Sequence, residues 1–286
     1  MGERRRVFRR TEVRMAALEA YLTSGATGDL LPWSVQSSAM ERFGLGCAQV
    51  EAAALAIDLL PARYQRNRRT ISTAGQLTLL RSRVAVVGCG GLGGYLIEQL
   101  ARLGVGRLVV IDPDRFEEHN LNRQLLSSLA DLGKPKVEVA VRRVASINPA
   151  VAVIPLELAL SAANGAELLA GVDLVLDALD RIPVRLELAA VCNDLGLPLV
   201  HGAIGGWYGH VATQFPGEKI VEQLYGGGIE ERGVEQELGN PSFTPGVIAS
   251  LQVAEACKVL LGAGLPLRGR LLHVDLWSME VVEIAS

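Results

Sequence analysis

One stretch of the chain reads Val84-Ala85-Val86-Val87-Gly88-Cys89-Gly90-Gly91-Leu92-Gly93-Gly94, a short apolar run followed at once by a glycine-rich loop. The apolar run is typical of a buried strand, and a helical pattern follows the glycines. Glycine lets the backbone approach a phosphate, and a helix N-terminus offers free N–H groups and partial positive charge. The stretch therefore predicts a phosphate-binding loop whose nucleotide contacts are Gly88, Gly90, Gly91 and Gly93.

Short apolar runs and helical stretches alternate beyond this loop, as in a parallel sheet covered on both faces. The pattern predicts a Rossmann-like, doubly wound and mostly parallel sheet that closes with antiparallel C-terminal strands. Candidate strands cover 84–87, 108–111, 151–154, 174–176, 199–200, 271–276 and 280–284, and candidate helices cover 93–103, 136–148, 165–170, 183–195 and 245–261.

The first 75 residues differ from the rest. Helical apolar spacing occurs over 15–22 and again over 50–60, with Gly25, Gly28 and Pro32 as breakers between them. We therefore expect a small N-terminal helical extension over 1–75 and a nucleotide-binding domain over 76–286. The arginines of the extension are interpreted mainly as a solvated face.

Composition sets broad limits on function. The net charge is −3, so no broad nucleic-acid-binding face is required. No apolar run follows the N-terminal arginines, and no stretch of about 18 uninterrupted apolar residues occurs, so neither a signal segment nor a membrane span is expected. We expect a cytoplasmic protein that does not contact a membrane.

An acidic residue stands where a nucleotide ribose would need it. Asp112 closes the strand that follows the glycine loop, and its carboxylate can accept hydrogen bonds from ribose hydroxyls. Dinucleotide enzymes share this fingerprint, so a nicotinamide- or flavin-dependent oxidoreductase remains an alternative. Cationic residues follow in Asn120-Leu121-Asn122-Arg123-Gln124 and Gly133-Lys134-Pro135-Lys136. Fixed cations suit a triphosphate, so the sequence favours ATP.

Asp180 follows the apolar run Leu174-Val175-Leu176, at the carboxyl end of a predicted strand. Open α/β sheets place their chemistry at this edge. Mg²⁺ is commonly held by one or two carboxylates together with substrate phosphates, so Asp180 is a candidate magnesium ligand. The alternative role is an N-cap for the helix that includes Pro183.

In their order and spacing these residues resemble the ThiF/MoeB/HesA family, the relatives of ubiquitin-type activating domains. The resemblance runs from about Arg63 to the C-terminus. It rests on these elements: Arg63-Tyr64-Gln65-Arg66, the glycine loop, Asp112-Pro113-Asp114, Asn120-Leu121-Asn122-Arg123-Gln124, Gly133-Lys134-Pro135-Lys136, Asp180 and Pro245-Gly246-Val247-Ile248.

The resemblance implies a role for each of these residues. Asp112 would hold the ribose, and Asp180 would hold magnesium. Arg66 is similar to the arginine that reaches ATP from the other subunit of a homodimer. Asn120, Arg123 and Lys136 would hold the triphosphate, and Asp114 and Gln124 are further expected nucleotide-binding residues.

The implied reaction is attack by a carboxylate on the α-phosphate of ATP. The carboxylate would belong to a small ubiquitin-like sulfur-carrier protein ending in Gly-Gly, used in molybdenum or tungsten cofactor or thiamine synthesis. A second alternative, known among relatives without zinc cysteines, is an enzyme like tRNA threonylcarbamoyladenosine dehydratase, whose RNA the arginines from Arg4 to Arg14 would contact.

Many members of the family that this chain resembles carry two CxxC pairs for structural zinc and a cysteine on the crossover loop that receives the activated carrier, and this chain has neither. Cys47, Cys89, Cys192 and Cys257 are far apart and form no CxxC pair, so no zinc site is expected. Cys192 is predicted to be a buried packing residue. The polar stretch 217–240, predicted to be a mobile loop, contains no cysteine. These features favour a purely adenylating enzyme over one that forms a thioester.

Two histidines and two aromatic residues follow the strand at 199–200. His201 and His210 flank a predicted loop, and ordinary structural or surface roles are favoured over a metal or acid–base role because no third ligand is evident. Trp207 and Tyr208 would line a groove for a glycine-rich tail or belong to the core. Farther along, Thr244 is predicted to cap the helix that Gly262 ends.

Overall fold

The computed structural model of this chain describes residues 2–225 and 235–285. Its first part is a helical unit that encloses a two-stranded parallel ladder. The elements of this unit are α1 (Gly2–Gly25), β1 (Leu30–Leu31), α2 (Trp33–Phe43), α3 (Cys47–Ala56) and β2 (Leu60–Pro61).

The helix predicted over 50–60 ends earlier than the apolar spacing suggests. α3 stops at Ala56, and Asp58 takes a left-handed conformation with φ 59°. Leu60 then lies in β2, where it pairs with Leu30. The small apolar core of the unit comprises Leu18, Leu22, Leu31, Ala39, Val50, Ala53, Ala54 and Leu59.

The remaining chain forms an eight-stranded sheet with helices on both faces. Its strands are β3 (Arg83–Val87), β4 (Arg107–Ile111), β5 (Ala152–Leu156), β6 (Leu174–Asp177), β7 (Leu199–Gly205), β8 (Tyr208–Gln214), β9 (Arg270–Asp275) and β10 (Glu280–Ala285). Its helices are α4 (Thr73–Arg81), α5 (Gly91–Leu103), α6 (Lys136–Ile147), α7 (Gly165–Leu168), α8 (Ile182–Asp194), α9 (Ile220–Tyr225), α10 (Glu235–Leu238) and α11 (Phe243–Leu261).

The strand order is β10-β9-β8-β7-β6-β3-β4-β5. Strands β3 to β7 run parallel, whereas β8, β9 and β10 pair antiparallel with their neighbours. The chain moves outward from β3 through β4 to β5 and then returns to β6 on the other side of β3. This reversal places a crevice between the carboxyl ends of β3 and β6, where open α/β sheets bind their ligands. The predicted fold class is confirmed.

The two faces of the sheet account for its continuous apolar strands. Side chains alternate along a strand, so Val84 and Val86 pack into the core on one face while Ala85 and Val87 pack into the core on the other. Helices α5 and α6 cover the first face and α8 covers the second. A strand covered on both faces has no solvated side, which explains why β3 reads as an uninterrupted apolar run.

Two predictions near the C-terminal half were wrong. Residues 202–209 are a β-hairpin rather than a loop, because β7 continues to Gly205 and β8 begins at Tyr208. Thr244 is not an N-cap; α11 begins at Phe243, and the Thr244 hydroxyl donates to the Gly206 carbonyl at 2.6 Å. Gly262 does end α11, in the left-handed conformation.

The stretch 217–240 is only partly the loop that its composition predicts. Residues 220–225 form α9, and Ile220 and Val221 are buried. Residues 226–234, which include Gly226-Gly227-Gly228, lie outside the described residues. The side chains of Arg4 to Arg10 lie outside them as well.

Helix α11 is long and apolar enough to cross a membrane by length and composition. It packs instead against α5 and β7 in the α/β domain. Its own residues Ile248, Ala249 and Val253 are buried in the core of that domain. A helix buried in the core of a folded domain can be as long and as apolar as a membrane span.

A buried polar network joins the helical unit to the sheet domain. The Glu51 carboxylate is fully buried and pairs with the Arg63 guanidinium at 2.6 Å. The Tyr64 hydroxyl donates to Glu51 at 3.2 Å and accepts from Asn148 at 2.7 Å. Asn148 also donates to the carbonyl of Ala101 in α5. Two residues of the motif at 63–66 therefore connect α3 to the sheet domain.

Candidate nucleotide site

The glycine loop turns between β3 and α5 in a space that only glycine fits at two positions. Gly88 has φ +99°, and a Cβ there would lie 2.5 Å from the Ala178 carbonyl oxygen. A Cβ on Gly93 would lie 1.8 Å from the Gly88 carbonyl oxygen. Gly90 is the N-cap residue of α5, so the first N–H groups of that helix face the crevice.

Asp112, at the end of β4, holds the glycine loop from the side. One carboxylate oxygen accepts from the Cys89 N–H at 2.6 Å, and the other accepts from the Asp114 N–H at 2.8 Å. Burial raises the pKa of Asp112, although the nearby Lys136 and these backbone N–H groups act in the opposite direction. Asp112 therefore orders the loop as well as presenting a carboxylate at the predicted ribose position.

A cavity of about 560 Å³ opens over the glycine loop and collects most of the predicted site residues. Volumes of this size are typical of small-molecule sites. The predicted site residues that line it are Gly88, Gly90, Gly91, Asp112, Asp114, Arg123, Gln124, Lys136 and Asp180.

Two cations of this cavity, Lys136 and Arg123, each lie near an acidic residue. Lys136 is buried, and its Nζ lies 2.9 Å from the exposed carboxylate of Asp114. Arg123 donates to the His119 carbonyl and to Asn122, each at 2.9 Å. Burial lowers the pKa of Arg123, while the charge of Asp180 raises it. Both cations stay within reach of a polyanion that enters the cavity.

Asp180 does not cap α8. Arg181 occupies the N-cap position, and it makes no side-chain capping hydrogen bond. The alternative role proposed from the sequence is therefore wrong. Asp180 lies instead in the segment between β6 and α8, at the crevice.

Three predicted site residues do not line the cavity. Gly93 lies beneath the loop, where its lack of a side chain permits close packing. Asn120 is buried, and its Oδ1 accepts from the Glu117 N–H at 2.9 Å, which closes a short 3₁₀ turn. Arg66 is exposed in the segment that precedes α4.

The structure also adds residues that the motifs did not indicate. Arg185 of α8, Ile204 of β7 and Asn240 line the same cavity. Within the described part of the chain, the buried oxygens Gln124 Oε1 and Asn240 Oδ1 have no hydrogen-bond partner. Gln76 Oε1 and Gln252 Oε1, outside this cavity, also lack a partner within that part, so the two cavity oxygens are only acceptors open to a ligand with N–H or O–H groups. Arg185 lies in the first turn of α8, five residues after Asp180, and this spacing is the signal that the sequence offers for it.

A second cavity of about 330 Å³ adjoins the first, and its lining is mostly apolar. Asp180, Arg185 and Ile204 line both cavities. His210 and Tyr225 form part of its wall. Trp207 lies outside this cavity and packs with Phe243 and Trp277 in a partly exposed aromatic cluster.

The two histidines singled out in the sequence meet inside the protein. His201 Nε2 lies 3.1 Å from His210 Nε2, and the Tyr225 hydroxyl lies 3.1 and 3.2 Å from these two atoms. His201 Nδ1 lies 2.6 Å from the buried carboxylate of Asp177. Burial raises the pKa of Asp177, but the charge of Arg185 and the hydrogen bond from His201 outweigh it and hold that pKa low.

Acid is expected to destabilise the fold through His201 and His210. Burial lowers the pKa of both. In the unfolded chain they take up protons below about pH 6.5, whereas in the fold they stay neutral to lower pH. The unfolded state then binds more protons, so the free energy of unfolding falls with decreasing pH by about 1.4 kcal/mol per pH unit for each histidine. Urea titrations between about pH 7 and 5 measure this slope. An equal slope in a His210→Gln variant would contradict the assignment.

Burial raises the pKa of all four cysteines. Cys192 is fully buried, as predicted, and burial raises its pKa to about 12. Burial also raises the pKa of Cys257 to about 11 and the pKa of Cys89 well above its usual range. Cys47 packs in the helical unit near Arg63, with its pKa again raised mainly by burial. Thiolates, not thiols, are the nucleophiles.

Relatives with named activities match most of this chain. The SAMP-activating enzyme E1 of Haloferax volcanii is 41% identical over 221 residues, which cover 76% of this chain and 82% of that protein. The sulfur carrier protein adenylyltransferase of Thermus thermophilus is 40% identical over 223 residues, with coverage of 74% and 82%. The molybdopterin-synthase adenylyltransferase of Escherichia coli is 38% identical over 229 residues, with coverage of 78% and 91%.

Solved structures agree on the fold. E. coli MccB in complex with MccA-N7isoASN superposes with a TM-score of 0.70 at 19% identity and covers 87% of this chain and 82% of its own. PaaA superposes with a TM-score of 0.66 at 22% identity, with coverage of 78% and 72%. The sequence model of the ThiF family matches residues 64–286, which contain the glycine loop, Asp112 and Asp180. With a match of this extent and three relatives near 40% identity, the chain belongs to the ThiF family.

Proposed function

We propose that this chain uses ATP to adenylate the C-terminal glycine carboxylate of a small ubiquitin-like sulfur-carrier protein. The observation that carries the proposal is the single cavity over the glycine loop, which brings Asp112, Arg123, Lys136 and Asp180 together. By their names, the three relatives activate SAMP, adenylate a sulfur carrier protein and adenylate molybdopterin synthase. They favour this reaction over a tRNA dehydratase or a nicotinamide enzyme.

The site residues would promote adenylation by positioning ATP and by stabilising negative charge. The N–H groups at the start of α5 and the cations Arg123 and Lys136 would bind the phosphates, and Asp112 would bind the ribose. When the carrier carboxylate attacks the α-phosphate, pyrophosphate leaves with growing negative charge, which Arg123 and Lys136 would stabilise. A carboxylate is already deprotonated at neutral pH, so this step needs no general base.

Asp180 would hold a magnesium ion. Mg²⁺ is usually bound by one or two carboxylates plus substrate phosphates, and Asp180 is placed to contribute one carboxylate where the phosphates would lie. The unpaired Gln124 and Asn240 oxygens offer further acceptors for the nucleotide. When bound, the ion would add positive charge to the triphosphate. The residues present therefore fit ATP with magnesium.

The proposal also covers the domain organisation and the cellular location of the protein. Residues 1–75 would form a helical extension, and residues 76–286 would form the adenylating domain. The protein would act in the cytoplasm, without a membrane or nucleic-acid partner. Because Cys47, Cys89 and Cys192 are buried, Cys257 is partly buried, and the pKa of all four is raised, the adenylate would be passed on without a covalent enzyme–carrier adduct.

Binding and exchange test this function together. We expect ATP with magnesium to raise the melting temperature and NAD to leave it unchanged, because a ligand that binds only the folded state stabilises it. A carrier ending in Gly-Gly should then drive ATP–pyrophosphate exchange. Equal stabilisation by NAD, or exchange that does not depend on any such carrier, would overturn the proposal.

We further propose a homodimer in which Arg66 completes the partner's site. Arg66 is exposed and lies outside the cavity of its own chain. Mixing an Arg66→Ala chain with an Asp180→Ala chain should therefore restore part of the exchange activity, since one hybrid site contains both native residues. If subunits exchange and no activity returns, Arg66 does not act across the interface.

A further inference from the structure

A buried ion pair lies behind the segment that carries Asp180. Asp177 ends β6 with its carboxylate fully buried, and the guanidinium of Arg185 on α8 is 5% exposed. Arg185 Nη1 lies 3.5 Å from Asp177 Oδ2. Taking two charges out of water is costly, so a buried ion pair is weak evidence of a stabilising role. The hydrogen bonds of this pair indicate another role, because they go to the backbone next to Asp180.

The pair holds Leu179, the residue before Asp180, on both sides. The Leu179 N–H donates to Asp177 Oδ1 at 2.9 Å, and the Leu179 carbonyl accepts from Arg185 Nη2. That carbonyl belongs to the peptide group that joins Leu179 to Asp180. Because a peptide group is planar, the hydrogen bond from Arg185 also fixes the position of the Asp180 nitrogen.

Arg185 connects the same segment to a second strand of the sheet. Its Nη1 donates to the Gly202 carbonyl of β7 at 2.8 Å, while Nη2 donates to Leu179. A guanidinium is a planar, rigid fork, so it holds the two carbonyl groups at a set separation. The segment that follows β6 is therefore fixed to β7 as well as to its own strand.

The Asp180 carboxylate depends on this backbone for its position. In the part of the chain that the structure describes, the carboxylate makes no hydrogen bond or ion pair, although it interacts with Arg123 through charge. Mg²⁺ demands near-ideal octahedral geometry from its oxygen ligands, so a small displacement of a ligand carboxylate weakens binding. Whatever fixes the Asp180 backbone therefore affects how tightly this residue can hold the ion.

We propose that Arg185 is a positioning residue for magnesium binding, which holds Asp180 in place through the Leu179 carbonyl. This inference rests on the proposed function, in which Asp180 is the magnesium ligand. Because Arg185 lines both cavities, direct contact with the nucleotide or with the carrier is the competing role. A positioning residue affects ATP binding only when magnesium is present. A residue that contacts the nucleotide affects it with or without magnesium, and one that contacts only the carrier affects neither.

The test measures binding without turnover. The probe is α,β-methylene-ATP, whose α–β bridge cannot be cleaved, and its dissociation constant is measured by calorimetry in EDTA and at one fixed concentration of free magnesium. The magnesium effect is the ratio of the two constants. In Arg185→Lys we expect it to fall about tenfold or more, as when a group behind a metal ligand is replaced, while the constant in EDTA keeps its wild-type value. Lysine keeps the charge beside Asp177 but lacks the planar fork that bonds two carbonyl groups at once.

Arg143→Lys is the matched control. Arg143 on α6 pairs with Glu98 on α5 and lies outside both cavities, so this variant should leave both dissociation constants unchanged. A second variant combines Asp177→Asn with Arg185→Gln, which removes the pair without leaving a buried charge unpaired. It should lower the magnesium effect as Arg185→Lys does, and it takes the place of Arg185→Lys if that variant does not fold.

Three results would contradict these expectations. An unchanged magnesium effect in either variant would overturn the positioning role. Weaker binding in EDTA as well would show that Arg185 contacts the nucleotide directly, and it would overturn the positioning role too; both results leave adenylation standing. If magnesium does not tighten binding in wild type, the magnesium assignment of the proposed function is wrong, and this inference fails with it.

Discussion

Asp180→Ala is expected to slow ATP–pyrophosphate exchange about a hundredfold, the order seen when one fixed electrostatic group is removed from a reaction site. Asp180 lies in the segment between β6 and α8, lines the nucleotide cavity and interacts electrostatically with Arg123. As the proposed magnesium ligand, it would bring positive charge to the triphosphate. The variant should also need a higher magnesium concentration for half-maximal exchange.

Asp194→Ala is the matched control for this variant. Asp194 ends the same helix, is exposed and lies outside both cavities. Its replacement should leave exchange and its magnesium dependence unchanged. If Asp180→Ala kept the wild-type rate with an unchanged melting temperature, Asp180 would have no part in catalysis and the metal assignment would be wrong.

Arg63→Leu is expected to lower the free energy of unfolding by about 3 kcal/mol, because it leaves a buried carboxylate without its partner. Glu51 is fully buried and pairs with Arg63 at 2.6 Å. Burial already raises the pKa of Glu51, and the charge of Arg63 opposes that shift. Without Arg63 the folded-state pKa of Glu51 rises further. The loss of stability should therefore be largest at neutral pH and shrink as the pH falls toward the unfolded value of about 4.3.

Urea unfolding followed by circular dichroism measures this change. Arg69→Leu removes an exposed arginine from the same segment and should cost less than about 0.5 kcal/mol. Adding Glu51→Gln to Arg63→Leu should recover part of the stability, since the uncompensated charge is then gone. An Arg63→Leu loss equal to that of Arg69→Leu would show that the ion pair contributes nothing to stability.

The parallel half of the sheet could be predicted because its signals are local. Strands β3, β4 and β6 are continuous apolar runs, and the glycine loop follows β3 directly. Strand β8 was missed because Tyr208, Gly209 and His210 follow a pair of glycines and form no apolar run. Its strand conformation depends on pairing with both β7 and β9, which no local pattern reports.

The site residues likewise divide into those that the sequence could predict and those whose positions depend on long-range pairing. Asp112 follows β4 and Asp180 follows β6, the parallel strands on either side of β3, so their meeting at the carboxyl edge of the sheet follows from the fold class. The histidine cluster does not follow from it. His201 pairs with Ala212 and His210 with Ala203, so the two rings come together only through the antiparallel register of the hairpin. Arg66 stays a prediction, because its partner would lie on another chain.

Asp112 carries a consequence for interpreting other members of this family. Its carboxylate accepts from Cys89 and Asp114 in the protein itself, so it maintains the shape of the loop without any nucleotide. A relative without enzymatic activity would still need this acid for the shape of its loop, whereas Asp180 makes no hydrogen bond or ion pair among residues 2–225 and 235–285. An aspartate after β4 therefore reports the shape of the loop, and under the proposed magnesium role the aspartate after β6 is the one that distinguishes active relatives from inactive ones.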